Sequence, residues 1–153
     1  MSDFPPRELL EPQWFIPFFA VMWFVACGSL ALVSGWWSLA SRFATAGSAQ
    51  GQRFRFVSGS MGLRLLPVNY SNCLFVTVND EGFRLAVLFV FRFLSPPLFI
   101  PWARVESVAE KRFLFMRYAS VRIRESWPRL SFYGKAGKGI LEVYARASNK
   151  RAL

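Results

Sequence analysis

The sequence predicts a single N-terminal transmembrane α-helix followed by a small, mainly β domain, with antiparallel sheets and a C-terminal helix. Three observations predict this class. No charged side chain occurs between Pro12 and Ser41. Residues 53–57 (Arg-Phe-Arg-Phe-Val) alternate basic and apolar side chains, which is the period of a half-buried strand. Residues 140–149 place apolar side chains at helical spacing, so a helix is expected to close the domain.

These patterns divide the chain into four segments. We expect a short non-cytoplasmic segment (1–12), a transmembrane helix (13–41), a flexible linker rich in Gly, Ala, Ser and Gln (42–52) and a basic domain (53–153). From Arg42 onward the chain carries 18 Lys and Arg against 6 Asp and Glu, whereas Arg7 is the only basic residue before the helix. The positive-inside rule therefore places the domain in the cytoplasm and the N-terminus outside.

The apolar stretch has the length and the flanking residues of a membrane span. Trp14 and Trp36 would lie about 33 Å apart on a helix, close to the roughly 30 Å of a bilayer core. Trp14, Trp36, Trp37 and Arg42 are then expected at the two membrane interfaces. A cleaved signal peptide is the competing interpretation, but the first segment is acidic and the apolar run exceeds the usual length.

One face of this helix carries small residues at every fourth position, namely Cys27, Ala31 and Gly35. Such a row lets a second helix approach closely. We therefore predict a helix–helix contact there, within a larger integral membrane complex. The two cysteines, Cys27 and Cys73, are interpreted as small apolar residues rather than as a disulfide.

The remainder of the chain is predicted to be mostly β. An Asn-Asp-Glu-Gly connection at residues 79–82 predicts a hairpin, and Gly134 to Gly139 (GKAGKG) is predicted to be a solvated turn. The expected strands cover residues 53–57, 61–66, 72–79, 82–93, 98–102, 113–123 and 130–133.

Two short motifs in this region are Tyr70-Ser71-Asn72-Cys73-Leu74 and the stretch from Pro96 to Trp102, which ends in Ile-Pro-Trp and is followed by Val105. With the anchor and the closing helix, they resemble bacterial pleckstrin-homology-like or GRAM-like domains of small single-pass membrane proteins. The resemblance covers roughly residues 52–149. It implies two packed antiparallel sheets capped by a helix and a location in the bacterial inner membrane, and it implies no defined activity.

Composition argues against catalysis. The chain has no histidine, which excludes a Ser-His-Asp relay and the commonest metal ligand. The acidic residues of the domain are scattered, and the GKAGKG stretch lacks the pattern of a phosphate-binding loop. We therefore expect no enzyme, no metal site and no cofactor.

The functional prediction is based on the basic residues. The chain has 15 Arg and 4 Lys, and the planar guanidinium suits phosphate and carboxylate groups better than an ammonium does. The alternative is that these residues only form the solvated faces of strands. Nucleic acid is not expected as a partner, because no RNA-binding signature is present. The candidate contacts to a partner or to anionic lipid are Arg53, Arg55, Arg117, Arg122 and Arg124.

Two functions follow from these features. The first is a non-enzymatic accessory or scaffold subunit, whose helix packs in a membrane complex while the domain docks on a protein or lipid surface. The alternative is a membrane-surface module that binds anionic lipid head groups.

Overall fold

The computed structural model describes residues 12–45, 50–62, 65, 67–125 and 128–153. Two helices come first, α1 (Pro12–Val33) and α2 (Trp36–Phe43). Most of the expected N-terminal segment, residues 1–11, lies outside the described residues. The strands are β1 (Gln52–Gly62), β2 (Pro67–Val78), β3 (Gly82–Val87), β4 (Leu98–Pro101), β5 (Val105–Phe113), β6 (Met116–Ile123) and β7 (Arg129–Tyr133), and α3 (Gly134–Ala152) ends the fold.

The structure confirms an apolar N-terminal helix, antiparallel strands and a C-terminal helix. Within the described residues the seven strands form one curled antiparallel sheet in the order β4-β3-β2-β1-β7-β6-β5. The sheet is continuous because β1 pairs with both β2 and β7. The expected pair of separate sheets is therefore a single sheet whose two halves share β1.

The hydrophobic core lies on the inner face of the sheet and includes side chains of α3 and of the N-terminal helices. Phe83 contacts both Trp102 and Phe132, with ring centroids 5.4 and 5.9 Å apart, and Trp102 contacts Tyr144 of α3 at 5.5 Å. The indole nitrogen of Trp102 donates a hydrogen bond to the carbonyl oxygen of Asn79 at 2.9 Å. Aromatic rings thus join the hairpin between β2 and β3 to the C-terminal helix.

The predicted helix over 13–41 is interrupted. Ser34 and Gly35 form a turn between α1 and α2, and Gly35 has a φ of 76°, a conformation that glycine adopts without steric cost. The Ser34 hydroxyl donates to the carbonyl oxygen of Ala31 at 3.2 Å and accepts a hydrogen bond from the Tyr70 phenol at 3.1 Å. The turn lets α2 pack on the domain instead of continuing along the axis of α1.

The predicted linker at 42–52 is shorter than expected. Arg42 belongs to α2, Ala44 forms an isolated antiparallel bridge with Leu98, and β1 begins at Gln52. Residues 46–49 lie outside the described residues. The end of the N-terminal helical segment is therefore joined to β4 and the residue before it by main-chain hydrogen bonds, including one from the Thr45 N–H to the Pro97 carbonyl oxygen at 3.0 Å.

Several strand boundaries also differ from the prediction. Met61 and Gly62 complete β1, and Pro67 begins β2 instead of ending a strand. The expected strand over 82–93 divides into β3 and a 3-10 helix, Phe89–Leu94, which we call the aromatic 3-10 helix. The expected strand over 113–123 corresponds to β6 and the last residue of β5. The rest of β5 was not predicted.

The segment predicted to be a turn, residues 134–139, is the first part of α3. Two of its glycines lie in close packing, since a Cβ on Gly137 would lie 2.5 Å from the carbonyl oxygen of Phe132. A Cβ on Gly139 would lie 2.4 Å from the ring of Phe54. Glycine here allows α3 to approach the sheet and does not indicate a flexible loop.

Candidate anion-binding surface

Four arginines surround one cavity of about 340 Å³ on the outer face of the sheet. They come from β1, from β3 and from the aromatic 3-10 helix, and Phe54, Phe75, Thr77 and Ala86 complete the lining. We call this cavity the arginine pocket; its arginines are Arg53, Arg55, Arg84 and Arg92.

Strand register brings two of these arginines together. Arg53 of β1 is opposite Thr77 of β2, and Thr77 is opposite Arg84 of β3. Directly opposed residues in antiparallel strands point to the same face. Arg53 and Arg84 therefore flank Thr77 on the outer face, although they are far apart in the sequence.

A β-bulge in β1 places the third arginine. The register changes between Phe54 and Val57, and Phe56 has a φ of 53°. Phe54 and Val57 both contribute to the core, so Arg55 and Phe56 occupy the outer side together. This bulge also explains why Phe56 is 60% exposed although the alternation predicts it inside; its ring packs on Phe75 with centroids 5.6 Å apart.

The pocket has strong positive charge. No acidic side chain is among its described lining residues. The Nε atom of Arg84 is buried and has no hydrogen-bond partner among the described residues. A buried donor without a partner costs about 1–3 kcal/mol, so an anion with several oxygens would stabilise this arrangement. Guanidinium groups bind phosphate and carboxylate oxygens in pairs, which makes such an anion the best fit.

The arginines predicted on β6 and its turn lie elsewhere. Arg117 forms an ion pair with Glu110 at 3.7 Å, and Arg122 forms one with Glu106 at 4.0 Å. Arg124 is exposed in the turn after β6. Arg53 and Arg55 therefore lie together in the arginine pocket. The three arginines of β6 and its turn lie on a different part of the surface.

The prediction omitted Arg84 and Arg92. Arg84 interrupts the apolar run Gly-Phe-Arg-Leu-Ala-Val of β3, and an arginine in a mostly buried strand is a signal that could have identified it. Arg92 gave no comparable signal, because its place in the pocket depends on the 3-10 helix that replaces the end of the predicted strand.

The residues predicted at the membrane interfaces do not share one environment. Trp14 and Trp37 are exposed, and their assignment to an interface stays a prediction. Trp36 is fully buried in the core, so its assignment to an interface is wrong. Arg42 donates a hydrogen bond to the carbonyl oxygen of Glu125 at 3.0 Å, which attaches the end of α2 to the turn after β6.

Two of the three residues in the small-residue row are buried within the protein itself. Ala31 is 1% exposed and belongs to the core, while Gly35 is buried in the turn between the two helices. Cys27 is half-buried and has a free thiol. Ala31 and Gly35 are therefore unavailable to a second membrane helix, because the domain of the same chain already covers them.

A larger cavity, of about 740 Å³, lies between the first turns of α3 and the hairpin that joins β5 to β6. Its lining includes Tyr70, Phe115, Met116 and Lys138. Burial raises the pKa of the Tyr70 phenol, and the hydrogen bond to Ser34 partly offsets this effect. Both charge signs are present, since Glu110 and Arg117 also line the cavity, so the arginine pocket is the better anion site.

Comparisons with models of known protein families, with curated proteins and with solved structures each find no match.

Proposed function

We propose that this protein is a membrane-anchored module that binds the phosphate of anionic lipid head groups in the arginine pocket. The observation that carries the proposal is the convergence of four arginines on one cavity, with no carboxylate among the described residues that line it. Two of them, Arg53 and Arg55, are among the residues expected to contact anionic lipid.

The anchor in this proposal is α1. It is the one helix among the described residues that is long and apolar enough to cross a bilayer, with a mean hydropathy of 2.2 over its best window. Most of its side chains, including Phe15, Phe18 and Val25, are exposed to the surroundings rather than to the domain. Lipid is the solvent in which such a surface is stable. We retain the proposed orientation, with the domain in the cytoplasm of a bacterium.

Anchoring also strengthens the head-group interaction. A tether keeps the domain at the bilayer, so the pocket samples a high local concentration of lipid phosphates. Each basic side chain near an anionic leaflet contributes on the order of 1 kcal/mol. The proposed domain is of the pleckstrin-homology-like kind, and the support for this is one antiparallel sheet in two halves that share β1, with a helix at the end of the chain.

The test uses the full chain in neutral detergent with short-chain lipids that are soluble as monomers. Dihexanoyl phosphatidylglycerol should bind, and dihexanoyl phosphatidylcholine should bind much more weakly. The double variant Arg53→Ala/Arg84→Ala should reduce phosphatidylglycerol affinity by about tenfold or more, since a charge-assisted hydrogen bond contributes about 1.5–3 kcal/mol. Titration calorimetry at two salt concentrations measures both the affinity and its electrostatic share.

The matched control is Arg117→Ala/Arg122→Ala, which removes the same charge from the ion-paired surface of β6. It should leave most of the affinity intact. Equal losses in both double variants would show that net charge rather than the pocket binds the lipid. Equal binding of the two lipids by the unmodified chain would refute the proposal.

A second candidate is the accessory subunit, and one observation favours it. The turn between β5 and β6 exposes four consecutive apolar side chains, and the tip residues Leu114 and Phe115 are 73% and 92% exposed. A protein partner could cover this tip. Leu114 has a φ of 53°, so Leu114→Gly/Phe115→Ser removes the apolar tip while keeping residues that suit such a turn. If the protein belongs to a complex through this hairpin, the variant should purify without the subunits that accompany the unmodified chain in mild detergent.

A further inference from the structure

The aromatic 3-10 helix packs directly along α1. The rings of Trp23 and Phe91 are stacked with centroids 5.4 Å apart. Further along, a Cβ on Gly28 would lie 3.3 Å from Leu94 Cδ1. Trp36 then donates a hydrogen bond to the carbonyl oxygen of Pro96 at 2.9 Å. The segment that follows β3 therefore runs beside α1 from its middle to its C-terminal end.

The contact between Trp23 and Phe91 determines how deep the aromatic 3-10 helix lies if α1 crosses a bilayer. Trp23 lies ten residues before the last residue of α1, Val33, which corresponds to about 15 Å along a helix. One leaflet contributes about half of the roughly 30 Å bilayer core. A helix that crosses the bilayer and ends at its surface thus holds Phe91 well below that surface, since the two rings are in contact.

We propose that the aromatic 3-10 helix enters the acyl-chain region of the cytoplasmic leaflet beside α1. This inference rests on the proposed function, because it requires α1 to span the membrane. It adds a second membrane-embedded element, which belongs to the domain and not to the anchor.

The chemistry of the segment suits that environment. Phe89 and Val90 are 76% and 44% exposed, and both lie at the end of the segment that is remote from Trp36. Three backbone N–H groups of the segment have acceptors inside the protein. Leu88 donates to Cys73 at 2.7 Å, Phe91 to Leu88 at 2.9 Å and Ser95 to Arg92 at 3.2 Å. Non-α-helical backbone at membrane depth is tolerated where it is buried against protein, and α1 packs along one side of this segment.

The one charge in the segment is consistent with this placement. Arg92 is exposed and lines the arginine pocket with Arg53, Arg55 and Arg84. A long arginine side chain extends toward the phosphates while its backbone stays deeper. A phospholipid whose phosphate occupies the pocket therefore lays its acyl chains against Phe89 and Val90. The proposed ligand is therefore a whole membrane phospholipid and not a soluble phosphate.

The experiment measures depth in vesicles. In the full chain with Cys27→Ala and Cys73→Ala, single cysteines at Val90, at Val25 of α1 and at Ser148 of α3 carry an environment-sensitive fluorophore. Ser148 is a suitable control because Lys150 pairs with Asp80 at 3.6 Å, which places this end of α3 at the end of β3 remote from Phe89. The proteins are reconstituted into phosphatidylcholine and phosphatidylglycerol vesicles, with and without acyl-chain bromination.

The label at Val90 should emit at short wavelength and lose most of its intensity to the brominated chains, as the label at Val25 does, whereas the label at Ser148 should be unaffected. Quenching at Val25 without quenching at Val90 would overturn this inference and leave the anchor intact. Absence of quenching at Val25 would overturn the membrane anchor and the inference together. Phe89→Cys provides a second position, so that failure of one variant to fold does not decide the result.

Discussion

The indole nitrogen of Trp36 donates a hydrogen bond to the carbonyl oxygen of Pro96 at 2.9 Å, across 60 residues of sequence. The same indole contacts the ring of Tyr70, with centroids 6.2 Å apart, and is fully buried. Trp36 therefore joins the two N-terminal helices to β2 and to the entry of β4. The neighbouring Trp37 is 51% exposed, so adjacent tryptophans have different roles.

This difference leads to a first prediction. Trp36→Phe should lower the free energy of unfolding by about 1–3 kcal/mol, because the Pro96 carbonyl loses its donor and the core loses volume. Trp37→Phe should change it by less than about 0.5 kcal/mol, as is usual for exposed positions. Denaturant titration of both variants in the same detergent measures the two values. Similar losses in the two variants would contradict the burial of Trp36.

The hydrogen bond between Tyr70 and Ser34 leads to a second prediction, about alkaline pH. The folded state raises the pKa of Tyr70 above its ordinary value of 10.0, chiefly through burial. The neutral phenol therefore contributes stability that is complete below pH 10.0 and is lost as the pH rises through the higher pKa of the folded protein.

Tyr70→Phe removes this ionisation. Near neutral pH the variant should be less stable by about 1 kcal/mol, because the hydrogen bond to Ser34 is absent. The difference from the unmodified chain should shrink as the pH rises above the ordinary tyrosine pKa. Thermal unfolding in detergent at a series of pH values measures this difference, in which the other titrating groups cancel. A difference that does not change with pH would be evidence against a buried phenol.

A third prediction concerns the start of α3. Gly137→Ala should destabilise the fold, because its Cβ would meet the main-chain carbonyl oxygen of Phe132 at 2.5 Å and backbone cannot move aside easily. Overpacking of this kind costs about 1–3 kcal/mol, whereas alanine gains up to about 1 kcal/mol of helix propensity over glycine. We therefore expect a net loss in the midpoint of thermal unfolding.

Lys138→Ala is the matched control for that prediction. It changes the adjacent residue of the same helix, whose side chain is exposed, and should leave the midpoint nearly unchanged. A flexible turn at residues 134–139 would instead tolerate both substitutions equally. The pair of variants therefore distinguishes a packed helix at residues 134–139 from the turn that the glycines indicated.

The glycines show why local patterns were insufficient there. Glycine is frequent in turns, so GKAGKG predicts a turn when only local preferences are considered. In the structure Gly137 and Gly139 are selected by what lies across from them, namely the Phe132 carbonyl and the Phe54 ring. Likewise, strict alternation in residues 53–57 predicts Phe56 inside, and the bulge in β1 turns it outward.

The amino-acid sequence by itself determined the apolar helix, most of the strands and the basic character of the domain, because hydrophobicity and side-chain period are properties of neighbouring residues. Only the tertiary structure decided that Trp36 belongs to the core and that Arg53, Arg55, Arg84 and Arg92 share one cavity. Those outcomes depend on strand register, on one bulge and on a turn at Gly35, which bring distant residues together.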